Sequence, residues 1–144
     1  AFALVYLVHA FVTCAFTRLA ALRLNGKRLL CQSTGATLVV DYRIYAFDLS
    51  VRSAYLDDTR GYFNGTSLFL LPSGFADSDW QLLIAPPSEA ACADWRVTTT
   101  MPVAEVDPAG FGLYRGRGYA TLVDYPVEIG VAEAAAFEVA YWKT

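Results

Sequence analysis

Residues 41–70, DYRIYAFDLSVRSAYLDDTRGYFNGTSLFL, carry the pattern from which the fold is read. Val40, Tyr42, Ile44 and Ala46 alternate with Asp41, Arg43, Tyr45 and Phe47, so successive side chains fall on opposite faces of an extended chain. That is the period of a half-buried β-strand. Further on, Tyr62-Phe63 and Thr66 to Leu71 are β-prone segments flanking Asn64-Gly65, a pair that accepts the positive φ angles of a two-residue turn. The sequence therefore predicts a hairpin at this point. Between the two lies LSVRSAYLDDTRG, residues 49–61, where Leu49, Val51, Tyr55 and Leu56 fit neither alternation nor a full helical stripe. Its structure stays open.

On the N-terminal side, residues 1–16, AFALVYLVHAFVTCAF, are almost continuously apolar, interrupted by His9 and Thr13. A spanning helix needs about 20 apolar residues, and a secretory signal needs a basic segment before its apolar core, which this stretch does not show. A buried strand or short helix is expected, and membrane association is disfavoured. Phe16, Leu19, Ala20 and Leu24 share one helical face and predict a short helix, stopped by Asn25-Gly26. Leu29 to Gln32 and Thr37 to Phe47 read as strands.

On the C-terminal side, Pro72 to Asp79 reads as a polar loop and Trp80 to Ala85 as a strand halted by Pro86-Pro87, because proline cannot donate to a ladder. Trp95 to Met101 predicts a further strand, with Trp95, Val97 and Thr99 on one face. Residues 106–119, VDPAGFGLYRGRGY, hold four glycines and a proline and predict an irregular surface or interdomain loop. Gly110 and Gly112 match the start of G-x-G-x-x-G, but Arg115 breaks that phosphate-loop pattern. Phe137 to Trp142 alternates and predicts an exit strand. The fold class that follows is mainly β: an antiparallel β-sandwich or saddle-like domain with at most one or two short helices.

The 144 residues suit one domain with one core. They are 56% hydrophobic and 17% charged, more apolar than the roughly 45–50% of an average soluble domain, so part of the excess is expected to face a neighbouring domain. A formal net charge of −3 without a basic run disfavours nucleic acid, whose phosphates demand clustered Lys and Arg. Cys14, Cys31 and Cys92 are odd in number and widely spaced, which predicts buried thiols and leans towards a reducing, cytoplasmic compartment.

Two blocks of the sequence resemble one family. YRIYAFDLSVRSAYLDDTRGYFNGTSLFL, residues 42–70, is similar to the most distinctive segment of the N-terminal domain of the glycyl aminopeptidases, zinc metallopeptidases that usually also carry a PDZ domain. TLVDYPVEIG, residues 121–130, resembles that family's block ending Pro-Val-Glu-Met-Gly, with Ile129 in place of Met. The first thirty or so residues depart from the pattern: VYLVHAFVTCAF has neither Pro nor Gly where the family carries a Pro-, Trp- and Gly-bearing loop. The resemblance implies the N-terminal domain of a larger peptidase, a catalytic domain of the same polypeptide as partner, a peptide as substrate, and zinc as cofactor of the parent enzyme. The chain itself is expected to hold no cofactor and, alone, to be inactive.

The residues agree on that last point. Zinc hydrolysis needs several imidazoles or carboxylates around one ion, commonly as H-E-x-x-H, and this chain has a single histidine and no such motif. A serine triad fails for want of a G-x-S-x-G. Asp57-Asp58 lacks calcium-loop spacing and reads as a turn or cap, and Asp48, near Arg43, Arg52 and Arg60, reads as fixing a loop. Asn64 opens an N-x-T sequon, but a tight Asn-Gly turn gives it and Gly65 a structural task. Glu128 is the candidate site residue. It follows Pro126, which stiffens the approach, and precedes Gly130, which permits close packing. In an aminopeptidase a carboxylate must receive the substrate's protonated α-amine through charge-assisted hydrogen bonds. A rigid, partly buried turn at 126–130 suits that role, but an ordinary surface or interdomain salt bridge is the commoner use of such a residue and the reading the residues alone favour. The alternative from another class is a free-standing β-sandwich module that grips a peptide or carbohydrate with exposed aromatics, of which nine tyrosines and three tryptophans are available.

Overall fold

The structure, a computed structural model, describes residues 6–12, 19–25, 28–33 and 38–132. Four antiparallel sheets account for its strands. β1 (Tyr6–Val12) pairs with β4 (Leu38–Ile44), from Tyr6 opposite Ile44 to Val12 opposite Leu38. β2 (Leu19–Asn25) pairs with β3 (Arg28–Ser33). β5 (Ala54–Leu56), β6 (Arg60–Asn64), β8 (Arg96–Thr99) and β11 (Pro126–Gly130) form a four-stranded sheet in the order β5-β6-β11-β8. β7 (Asp79–Ile84), β9 (Val103–Val106) and β10 (Gly112–Arg117) form a three-stranded sheet in the order β7-β10-β9. Two short helices, α1 (Gly65–Leu68) and α2 (Tyr119–Asp124), complete the described elements with a single 3-10 turn at Ala90–Cys92. The mainly antiparallel β architecture expected from the sequence is what forms. Among the described residues no helix is long and apolar enough to cross a membrane.

The two larger sheets share one core. Leu56, Phe63, Val127 and Ile129 from the four-stranded sheet cluster with Ile84 and Tyr114 from the three-stranded sheet, and Trp95, Met101 and Phe111 fill between them. β11 shows the logic most clearly: Val127 and Ile129 are buried while Pro126 and Glu128 are exposed, the period-2 pattern of a strand with one face in the core. Pro126 is tolerated because it is the first residue of its strand. Its carbonyl accepts a hydrogen bond from the Thr99 hydroxyl at 3.0 Å.

Four sequence expectations are corrected. Residues 19–24 are not helical; they belong to β2, because a short run apolar at nearly every position satisfies either period and pairing with β3 decides. Asn64-Gly65 is not a hairpin turn. Asn64 ends β6 and caps α1, its side chain accepting from the Thr66 amide at 3.0 Å and the Thr66 hydroxyl, while Ser67 donates back to the Asn64 carbonyl. The hydroxyls of Thr66 and Ser67 thus favour a capped turn over a strand. Residues 106–119 are not irregular throughout, since β10 runs through them and only 107–111 form a turn, held by Asp107, whose carboxylate accepts from the Ala109 and Phe111 amides at 2.8 and 3.0 Å. The glycines there serve close approach. Gly116 lies opposite Trp80 in the ladder, and a Cβ on it would strike the indole. Gly112 has φ 142° and passes so near the backbone of Glu105 and Val106 that no side chain fits. Finally, 126–130 is not a turn but β11, an inner strand of its sheet.

The open connector 49–61 resolves into a loop, the short β5, a turn at Asp57 and the start of β6, and Trp80 to Ala85 and Trp95 to Met101 hold strands as expected. The exit strand at 137–142 lies outside the described residues.

Candidate functional site

Strand register assembles the site. Tyr55 pairs with Tyr62, Tyr62 with Glu128, and Glu128 with Thr98, so these four form one row across the sheet on its outer face. Two residues along β6, Arg60 lies opposite Gly130 and therefore on the same face. Gly130 presents no side chain, and the Arg60 stem lies against it. The guanidinium Nη1 comes to 3.7 Å from Glu128 Oε1, with the two side chains 49% and 57% exposed. Its central carbon also lies 5.6 Å from the centroid of the Tyr55 ring, within reach of a cation–π contact. Tyr55 is held on both sides: its ring stacks on Phe47 at 5.4 Å and its hydroxyl donates to Asp57 at 2.9 Å.

The loop before β5 rises over this row. Asp48 organises it, accepting from the Ser50 amide at 2.9 Å and the Ser53 hydroxyl at 3.0 Å, and Tyr62 donates its hydroxyl to the Val51 carbonyl at 2.9 Å. Leu49, Val51, Arg60, Tyr62 and Glu128 then line an open concavity of about 220 Å³. Leu49 and Val51 are exposed, so the hollow offers apolar rims around one carboxylate and one guanidinium. At 3.7 Å the Arg60–Glu128 pair is longer than a hydrogen bond, and Glu128 keeps acceptor capacity towards the opening. Such an arrangement leaves a carboxylate open to a cation beside exposed apolar side chains.

Of the residues singled out from sequence, Glu128, Pro126 and Gly130 come together on β11, and Asp48 shapes the rim. Asn64 and Gly65 belong to the cap of α1 and do not enter the hollow. Asp57 closes a turn: the Thr59 hydroxyl and the amides of Thr59 and Arg60 donate to it at 2.7, 2.8 and 2.9 Å, and these bonds, the hydroxyl first, hold its carboxyl well below the usual range. It is a turn residue, as expected. Sequence reasoning missed Arg60, Tyr62, Leu49 and Val51 as neighbours of Glu128. Their signal, the shared parity of Arg60 and Tyr62 on β6, becomes readable only when 126–130 is known to be its partner strand.

Among the described residues no three His, Cys, Asp or Glu side chains gather where they could hold a metal ion. His9 lies on β1 in register with Asp41. Cys92 is buried, and burial pushes its thiol pKa up, the opposite of what a nucleophile needs. Cys14 and the side chain of Cys31 lie outside the described residues.

Fold and site together define an antiparallel β-sandwich domain bearing a shallow concavity with a carboxylate at its floor. Residues 5–131 match the Peptidase M61 N-terminal domain, and the chain belongs to that family. The fold is also similar to a crystal structure of an aminopeptidase N family protein from Idiomarina loihiensis, with a TM-score of 0.70 and 29% sequence identity over 88% of this chain. That match covers 24% of the Idiomarina chain, so this chain spans about a quarter of its length. No curated protein sequence matches.

Proposed function

We propose that the chain is the non-catalytic N-terminal domain of a zinc-dependent aminopeptidase of the glycyl aminopeptidase type, that it shapes the substrate cleft and packs on a catalytic domain of the same polypeptide, and that Glu128 receives the protonated amine of the peptide substrate. Family membership and the small share of the Idiomarina chain that is matched support the placement in a larger peptidase. The observation that carries the site is the position of Glu128, exposed at the floor of a hollow and only loosely paired. A carboxylate held on an inner strand of a sheet costs little reorganisation when a cation arrives, which is what amine selection requires.

Among the described residues no donor set for zinc gathers, and the sequence holds one histidine and no H-E-x-x-H, so on this reading the metal belongs to the catalytic domain. The competing reading, a free-standing module for a peptide or carbohydrate, draws on the stacked, partly exposed Phe47 and Tyr55. A native reading frame encoding H-E-x-x-H beyond Thr144 supports the peptidase reading; its absence there supports the module.

The functional test is Glu128→Gln in the full-length protein. Removing a charge-assisted bond to an ammonium should lower kcat/KM for peptides with N-terminal glycine by about 10- to 100-fold. An unchanged kcat/KM overturns the role of Glu128.

A further inference from the structure

Resting on that reading of Glu128, we infer that Arg60 is a resident cation of the amine site: it occupies Glu128 between substrates and moves onto the Tyr55 ring when a peptide amine arrives. Arg60 stands between two stations. On one side is the Glu128 carboxylate at 3.7 Å, a contact too long for a hydrogen bond; on the other is the face of Tyr55 at 5.6 Å. Both contacts exist at once, so a small rotation that gives up the carboxylate leaves the guanidinium on the ring it already touches. The absence of a side chain at Gly130 leaves the Arg60 stem room to turn. The second station is built rather than incidental, because the Tyr55 ring is stacked on Phe47 and its hydroxyl is tied to Asp57. The Asp57 carboxylate, on the same turn as Arg60, adds negative charge beside that ring.

An exposed ion pair of this kind is weak, so the substrate amine can displace it. Apparent affinity falls only by the fraction of molecules in which Glu128 is occupied by Arg60. The device keeps Glu128 from attracting solvent cations and demands a positive charge of the ligand, since a neutral, acetylated N-terminus gains nothing by displacing a guanidinium. Arg60 is thus a positioning residue, acting through Glu128.

The test uses steady-state kinetics of the full-length protein on a peptide with N-terminal glycine. Arg60→Gln should lower KM two- to fivefold with kcat unchanged, Arg60→Lys should stay within twofold of the parent, and the gain from Arg60→Gln should vanish in the Glu128→Gln background. A KM that rises or does not move in Arg60→Gln, while Glu128→Gln impairs the enzyme, overturns the inference and leaves the amine role of Glu128 standing. An unaffected Glu128→Gln variant overturns both. Should Arg60→Gln not fold, Tyr55→Leu removes the second station: KM should then rise about twofold at constant kcat, and an unchanged KM overturns the proposal.

Discussion

Val127 is the most enclosed side chain among the described residues, with no exposed surface, on a strand paired on both sides. Val127→Ala removes two methyl groups and leaves a gap that the flanking β6 and β8 cannot close, so chemical denaturation should show a loss of about 2 kcal/mol. Asp57 predicts a pH effect. Its folded pKa lies below the unfolded carboxylate value of about 3.9, so the stability it contributes is present above that value and lost as pH falls through the lower folded one. Asp57→Ala should melt at a lower temperature than the parent at pH 6, and the difference should narrow as pH drops below about 4. Asp57 was legible as a turn residue because an Asx turn is a local event, decided within a few residues, whereas Asp48 fixes its loop through Ser50 and Ser53 rather than through the arginines its sequence neighbourhood suggested. The partners of Glu128 were not legible, because Arg60 and Tyr62 meet it across nearly seventy residues of chain, a distance no local pattern encodes.

At the scale of the element, the errors share a cause: a local signal with two structural uses. Asn-Gly suits a hairpin, but Asn followed by hydroxyl residues also suits an N-cap, and the packing of α1 beside α2 selects the cap. Asn64→Ala should therefore cost about 1 kcal/mol, read by thermal or chemical unfolding, while Asn64→Asp should retain most of the stability. The discriminating comparison is Asn64→Gly with Asn64→Asp: a cap favours Asp, whereas a hairpin turn with positive φ would favour Gly. Glycine likewise signals a breaker in isolation, yet Gly112 serves the close approach of β9 to β10, a tertiary fact. Gly112→Ala combines a positive φ with a clash against the Glu105 carbonyl and should destabilise by about 2 kcal/mol or more. Faster hydrogen exchange should concentrate at the β9–β10 ladder. Strands such as 80–84 and 96–99 were readable because alternation with one buried face is a strand's own property, independent of its neighbours.

For the molecule as a whole, the division of labour is the point at issue. The resemblance visible in two separated blocks of sequence reaches the family correctly, because those blocks encode the inner strand β11 and the β5–β6 meander that pairs with it. What the chain contributes to peptide hydrolysis on the proposed reading is shape and one carboxylate, not a metal. Zinc binding tests this directly, because a ligand that binds only the folded state raises its stability by about 2.7 kcal/mol at a concentration one hundred times its dissociation constant. With one histidine and no ligand cluster among the described residues, the isolated chain should show no rise in melting temperature on adding zinc and no release of nitroaniline from glycine p-nitroanilide. A zinc-dependent rise in melting temperature accompanied by hydrolysis would mean that this chain carries a metal centre of its own, and the proposed division between a shaping domain and a catalytic one would fall.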